Sequence, residues 1–239
     1  MRIIEQQLKD VRNRVTRACT DGGRPPAEVT LLAVSKFQGE QAVREAVAAG
    51  QRAFGENYVQ EALDKMQALQ DLRSVHPPLE WHLIGPLQSN KTRPVAEAFD
   101  WVHTVDRLKI AQRLSEQRPP GRPPLNVCLQ VNVSGEDSKS GVAPAAVADL
   151  AQAVAALPGL RLRGLMSIPE PTDDPAAQRQ AHRSLRLLYE RLKAQGLPLD
   201  TLSMGMSADL EAAVAEGSTL VRVGTAIFGN RPPAPGQGT

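Results

Sequence analysis

Thr30-Leu-Leu-Ala-Val-Ser-Lys-Phe-Gln-Gly39 is the stretch on which the fold turns. Its first five residues are apolar or β-branched, which is the make-up of a buried strand rather than a solvated face. A Gly-rich fingerprint directly after such a strand would mark a doubly wound, dinucleotide-binding sheet. Ser35-Lys36-Phe37-Gln38-Gly39 stands there instead, and this favours a closed parallel barrel.

Lys36 ends the run as a lone ammonium. Lysine is seldom fully buried without a partner. At the mouth of a closed sheet, loss of water favours the neutral amine. A neutral amine can attack a carbonyl carbon and form a Schiff base. The alternative is a head group that snorkels past the strand end into solvent.

Outward from this run, short apolar segments alternate with Ala-rich helical ones. An opening helix is expected over residues 2–20. Further strands are expected over 52–55, 80–85, 100–103, 125–133, 160–166, 200–204 and 219–228, with helices over 40–49, 59–72, 145–156, 176–195 and 208–215. Repeating strand–helix units of about thirty residues define a single (β/α)8 TIM barrel, an α/β fold. The 239-residue length approaches the roughly 250 typical of that fold. The barrel is expected over residues 1–230, with a Pro/Gly-rich loop at 118–124 and a mobile Pro/Gly-rich tail at 231–239.

Charge and composition narrow the function classes. Lys+Arg 28 against Asp+Glu 26 leaves a net charge of +2 with no polybasic block, and aromatics are 3%, so no nucleic-acid surface is expected. The N-terminus is charged and amphipathic, and no apolar run reaches membrane-spanning length. Cys19 and Cys128 lie far apart without a metal-like spacing, which fits packing roles in a reducing compartment. A soluble, cytoplasmic, monomeric protein is the expectation.

Barrel active sites lie at the carboxyl ends of the strands. There the sequence offers Lys36, Glu56, Asn57, His82, His103 to Asp106, Asn132 to Glu136, Ser203 to Ser207, Arg222, Gly224 and Thr225. Ser203-Met-Gly-Met-Ser207 leads from a strand into a helix, with Ser207 expected as N-cap and Asp209 in the first turn. With Val223-Gly-Thr225 it falls where barrels hold phosphate, after strands seven and eight. Alternatively, Gly205 and Gly224 merely permit tight turns. Arg222 and Gly224 share one face of the last strand, and a lumenal guanidinium needs a partner. Glu56, Asp106 or a heteroatom of a bound ring could serve. His82 and His103 lack metal-ligand spacing and read as satisfied core histidines, while His76 and His182 read as loop and helix-surface residues.

The motifs Val34-Ser-Lys36, Phe54-Gly-Glu-Asn57, Trp81-His-Leu-Ile-Gly-Pro-Leu-Gln-Ser-Asn-Lys91 and Val131-Asn-Val-Ser-Gly-Glu136 resemble the YggS/PROSC family of pyridoxal phosphate (PLP) homeostasis proteins. Gly164-Leu-Met166, Leu202-Ser-Met-Gly-Met-Ser207 and Val221-Arg-Val-Gly-Thr-Ala-Ile-Phe-Gly229 carry the likeness across nearly the whole chain. The resemblance implies a fold-type III barrel like the N-terminal domain of alanine racemase, without the C-terminal β domain, and PLP as cofactor. It makes Lys36 the Schiff-base lysine. It sets Ser207, Gly224 and Thr225, with Ser203, around the phosphate, Arg222 against the pyridine nitrogen, and Asn57 and His82 along the ring. Lys139 falls where the family carries a conspicuous lysine, while Phe37-Gln38-Gly39 replaces a common Thr-Lys-Pro-like stretch.

A cation beside the pyridine nitrogen disfavours its protonation, which makes the ring a poorer electron sink. The resemblance attributes the opposite-face base of racemases to a tyrosine from a second domain. This chain offers Tyr58, a candidate lining residue, and Tyr189, read as a packing residue with an outward hydroxyl. The expectation is therefore PLP storage and delivery to apo-enzymes with little or no turnover. An amino-acid racemase is the alternative, and a metabolite-binding aldolase-type barrel a third.

Overall fold

In the computed structural model, which describes residues 3–134 and 140–229 apart from the Arg73 side chain, β1 (Thr30–Val34) stops short of Lys36. Gly135, Glu136, Lys139 and the expected tail at 231–239 lie outside the described residues. After α1 (Ile3–Asp21), the chain runs β1, α2 (Glu40–Ala48), β2 (Ala53–Glu56), α3 (Val59–Ala68), β3 (Glu80–Leu83), α4 (Thr92–Ala98), β4 (Trp101–Val105), α5 (Leu108–Gln117) and β5 (Leu125–Gln130). It continues through α6 (Val147–Ala155), β6 (Leu160–Met166), α7 (Pro175–Ala194), β7 (Thr201–Ser203), α8 (Leu210–Ala215), β8 (Leu220–Val223) and α9 (Thr225–Phe228). The strands close in sequence order, all parallel, with β8 pairing back onto β1.

Side-chain alternation sorts the apolar residues into two layers. Phe54, Trp81, Leu83, Val102, Val127, Leu165, Leu202 and Val221 belong to the large core that packs against the surrounding helices. Leu32, Ala53, Ile84 and Leu220 meet inside the barrel, as do Trp101, Cys128 and Met166. Both cysteines are free and buried, and burial pushes the Cys128 thiol up to about 12, so it acts as a packing residue.

The register shifts in β5–β6 between Val127 and Cys128. This bulge makes room for Arg163, whose guanidinium lies 4.5 Å from the Trp101 ring centre and pairs with Asp200 and Asn126. α1 uses Leu8, Val11, Val15, Ala18 and Cys19 as a buried stripe and packs on α2, α8 and α9. α7 starts with Asp174 accepting from the Ala176 N–H at 3.0 Å and Pro175 in its first turn.

Several expected boundaries move, among them the strand expected over 125–133, which ends at Gln130, and that over 80–85, which ends at Leu83. The apolar run after Val223 leaves the sheet and forms α9, while α3 ends at Ala68 and a 3-10 turn covers Gln70–Ser74. No helix among the described residues is long and apolar enough to cross a membrane.

Candidate functional site

Lys36 sits half-buried in the turn after β1. Thr30, Leu32 and Val34 alternate with the helix-facing Leu31 and Ala33, so Lys36 continues the lumen-facing series. Gly224 closes on the same spot from β8. A bare Cβ there would come within 3.2 Å of the Val34 carbonyl oxygen. Lys36 and Gly224 therefore belong to one rim.

The loop after β7 is tied to strand β8, since the Arg222 N–H donates to the Gly205 carbonyl at 2.9 Å. Gly205 takes φ 96°, a left-handed conformation that suits glycine. Ser207 lies in the turn that follows and Thr225 is exposed at the start of α9. Ser207 is not the N-cap expected from the sequence: α8 begins later, after Asp209. The Asp209 carboxylate instead accepts the Met206 N–H at 2.6 Å and bonds His182 Nε2 at 2.9 Å. Burial would raise the Asp209 carboxyl, but the His182 and Met206 hydrogen bonds outweigh it and hold it below the usual carboxylate range. His182 is thus fully buried, not the surface residue its helix suggested.

Beneath the rim, a hydrogen-bonded chain crosses the lumen. Arg222 donates to the Ser203 hydroxyl and to the Ser167 carbonyl, both at 2.8 Å. Ser203 Oγ lies 2.8 Å from His103 Nδ1, His103 Nε2 lies 2.9 Å from His82 Nδ1, and His82 Nε2 faces Glu80 at 3.5 Å. A guanidinium only donates, so Ser203 accepts from Arg222 and donates its own O–H to His103 Nδ1. His103 then donates through Nε2 to His82, whose own Nε2–H points at Glu80. Both histidines are neutral in this arrangement. Burial lowers both, His103 far below its ordinary value, and draws the Arg222 guanidinium down to about 10.

Several expectations need correction. Arg222 pairs with neither Glu56 nor Asp106. Glu56 turns outward to Lys65 at 2.8 Å and Asp106 pairs with Arg107 at 2.6 Å. The hydroxyl of Ser203 is engaged inside the barrel by His103 and Arg222, and His82 sits in the same buried layer. The Tyr189 hydroxyl does not point outward but donates to the Leu199 carbonyl at 3.0 Å. Tyr58 is 51% exposed, its ring 5.1 Å from that of Phe37.

Asn57 is held at the β2 end by Gly85, whose position tolerates no side chain: a Cβ would fall 2.1 Å from the Asn57 carbonyl oxygen. Among the described residues, Asn57 Oδ1 and Ser167 Oγ are both buried without a hydrogen-bond partner, so the end of β2 and the Ser167 position beside Arg222 retain polar capacity for a ligand. Ser167 and Lys65 are the residues that the sequence did not single out, while His103, expected as a satisfied core histidine, is a link in the lumenal chain. The Glu61–Lys65 spacing on α3 was the available signal for Lys65.

A parallel eight-stranded barrel with a lysine after β1, Gly–Thr after β8 and a lumenal arginine on β8 is the architecture of a fold-type III PLP barrel. The family model "Alanine racemase, N-terminal domain" matches residues 8–232, and the chain belongs to that family, in its pyridoxal phosphate homeostasis branch. The pyridoxal phosphate homeostasis protein of Pseudomonas aeruginosa is 63% identical over 231 residues, 97% of each chain. That of Escherichia coli K12 is 55% identical over 97% of this chain and 98% of its own. The structure of PipY from Synechococcus elongatus with PLP bound has a TM-score of 0.81 and 41% identity, covering 95% of this chain and all of its own. Alanine racemase from Clostridium difficile shares the fold alone, with a TM-score of 0.75 at 12% identity over 97% of this chain and 58% of its own.

Proposed function

We propose that this protein binds pyridoxal 5'-phosphate as a Schiff base on Lys36 and serves intracellular PLP homeostasis, storing and delivering the cofactor with little or no turnover. The observation that carries the reading is the stacked pair of layers: the Lys36–Gly224 rim directly above a buried, fixed Arg222 guanidinium. Bound there, PLP supplies an aldehyde and an electron-withdrawing ring. Lys36 would hold that aldehyde through its amine, the C=N bond replacing the C=O bond with loss of water. Ser207, Gly224 and Thr225 hold the phosphate with hydroxyl and backbone donors. Asn57 flanks the ring. Arg222, supported by Ser203, His103 and His82, presents N–H donors to the pyridine nitrogen and keeps it unprotonated.

That last role favours a carrier over an amino-acid enzyme, because an unprotonated ring is a weak electron sink. The tyrosines support the same reading, since Tyr189 is committed to Leu199 and Tyr58 lies on Phe37. The protein works in the cytoplasm as a monomer, without nucleic-acid or membrane partners, and meets apo-enzymes transiently.

The visible absorption spectrum with added PLP, beside that of Lys36→Ala, tests this. The wild type should turn yellow and bleach with borohydride, and the variant should lack or shift the band. A protein that stays colourless with PLP sinks the proposal and promotes the aldolase-type reading. Racemisation of an amino acid at an enzymic rate dependent on Lys36 would overturn the carrier role.

A further inference from the structure

We infer that Lys65, acting with Glu56 and Glu61, is a positioning residue for the Schiff-base lysine: the three clamp the residues on either side of Lys36 and so present its amine to the rim. The inference rests on the proposed attachment of PLP to Lys36.

Lys65 lies on α3, 7% exposed, outside the barrel wall. An ammonium has three donors. Those of Lys65 are met by Glu56 Oε1 at 2.8 Å, Glu61 Oε1 at 2.7 Å and the Ser35 carbonyl at 2.5 Å. The two carboxylates carry the contact onward. Glu56 Oε1 also accepts the Ser35 hydroxyl at 2.6 Å, and Glu61 Oε1 accepts the Phe37 N–H at 2.6 Å. Ser35 is further fixed by its N–H to the Gly55 carbonyl and by the Gln38 N–H to its own carbonyl, both at 3.0 Å.

Phe37 holds φ 63°, the only positive φ of a non-glycine residue in the described chain. An aromatic residue adopts that conformation only when its surroundings impose it. Here the Glu61 carboxylate grips its N–H and the Tyr58 ring packs on its own. A buried ion cluster that merely glued α3 to the barrel could bond any part of β1. This one bonds Ser35 and Phe37 and leaves Lys36 between them for the cofactor.

The experiment follows growth of the visible band when PLP-free protein is mixed with PLP, alongside thermal melting. Lys65→Met and Glu61→Ala should slow band growth about tenfold or more, because the amine no longer waits in its reactive geometry. Glu61→Gln keeps an acceptor for the Phe37 N–H and should stay within about threefold of wild type. Glu61 is partly exposed, so its pair of variants decides the matter even where Lys65→Met fails to fold. Variants that melt lower but form the band at the wild-type rate would overturn the positioning role while leaving PLP binding intact. A wild type that forms no band would overturn the PLP reading, and this inference with it.

Discussion

Ser203 is the residue on which two different chemistries meet. Its hydroxyl accepts from a group that can only donate, Arg222, and donates to one that must then accept, His103. The tautomers of both lumenal histidines follow from this single oxygen. Ser203→Ala should leave His103 Nδ1 and one Arg222 N–H without a partner, at a cost of about 1–3 kcal/mol, measurable as a lower urea midpoint at unchanged slope. Stability equal to wild type would mean that the chain is rebuilt through other partners. Little of this was legible beforehand. The bond joins residues 100 positions apart, and nothing local distinguishes a serine that grips a phosphate from one that grips an arginine. Lys36, by contrast, was legible because one charge closing an apolar run conflicts with its neighbours. Lys65 sits in an ordinary amphipathic pattern, where burial leaves no mark.

Among the elements, strands were read more securely than their ends. Residues 160–166 matched β6 because alternation and a following turn bound it on both sides. The last strand was read too long, since Thr-Ala-Ile-Phe is as apolar as a strand and too short for periodicity to betray a helix. α4 and α5 were not individually discerned; Thr92–Ala98 is a short helix with a proline in its first turn. β6 also carries a constraint that no pattern reveals. A Cβ at Gly164 would stand 1.7 Å from the Thr201 carbonyl oxygen, so only glycine lets β7 approach. Gly164→Ala should force the two strands apart and cost roughly 3 kcal/mol or more, read by denaturant unfolding. An alanine variant of near wild-type stability would show that β7 can shift freely.

At the scale of the whole molecule, the buried histidines make stability depend on pH. Both have values lowered by burial in the folded state, so an unfolding chain takes up protons first as pH falls. Stability should therefore drop below about pH 6.5, by up to about 1.4 kcal/mol per pH unit for each histidine. Glu56, raised by burial despite Lys65 and Ser35, works the other way within the carboxylate range, and Asp209, lowered, adds acid sensitivity at the bottom of it. Unfolding free energies between pH 7 and 5.5 should fall less steeply for His103→Asn than for wild type. Equal slopes would mean that His103 is already protonated in the folded chain.

The filled lumen carries one more consequence. From Glu80 and the Arg163–Trp101 plug up to Arg222, the interior is occupied by its own side chains. The molecule is a cup and not a pipe. On the proposed carrier reading, arrival from solvent, departure to solvent and hand-over to a recipient would all compete for one opening. A recipient seated over that opening would collect the cargo and, by the same act, close its way back to the water.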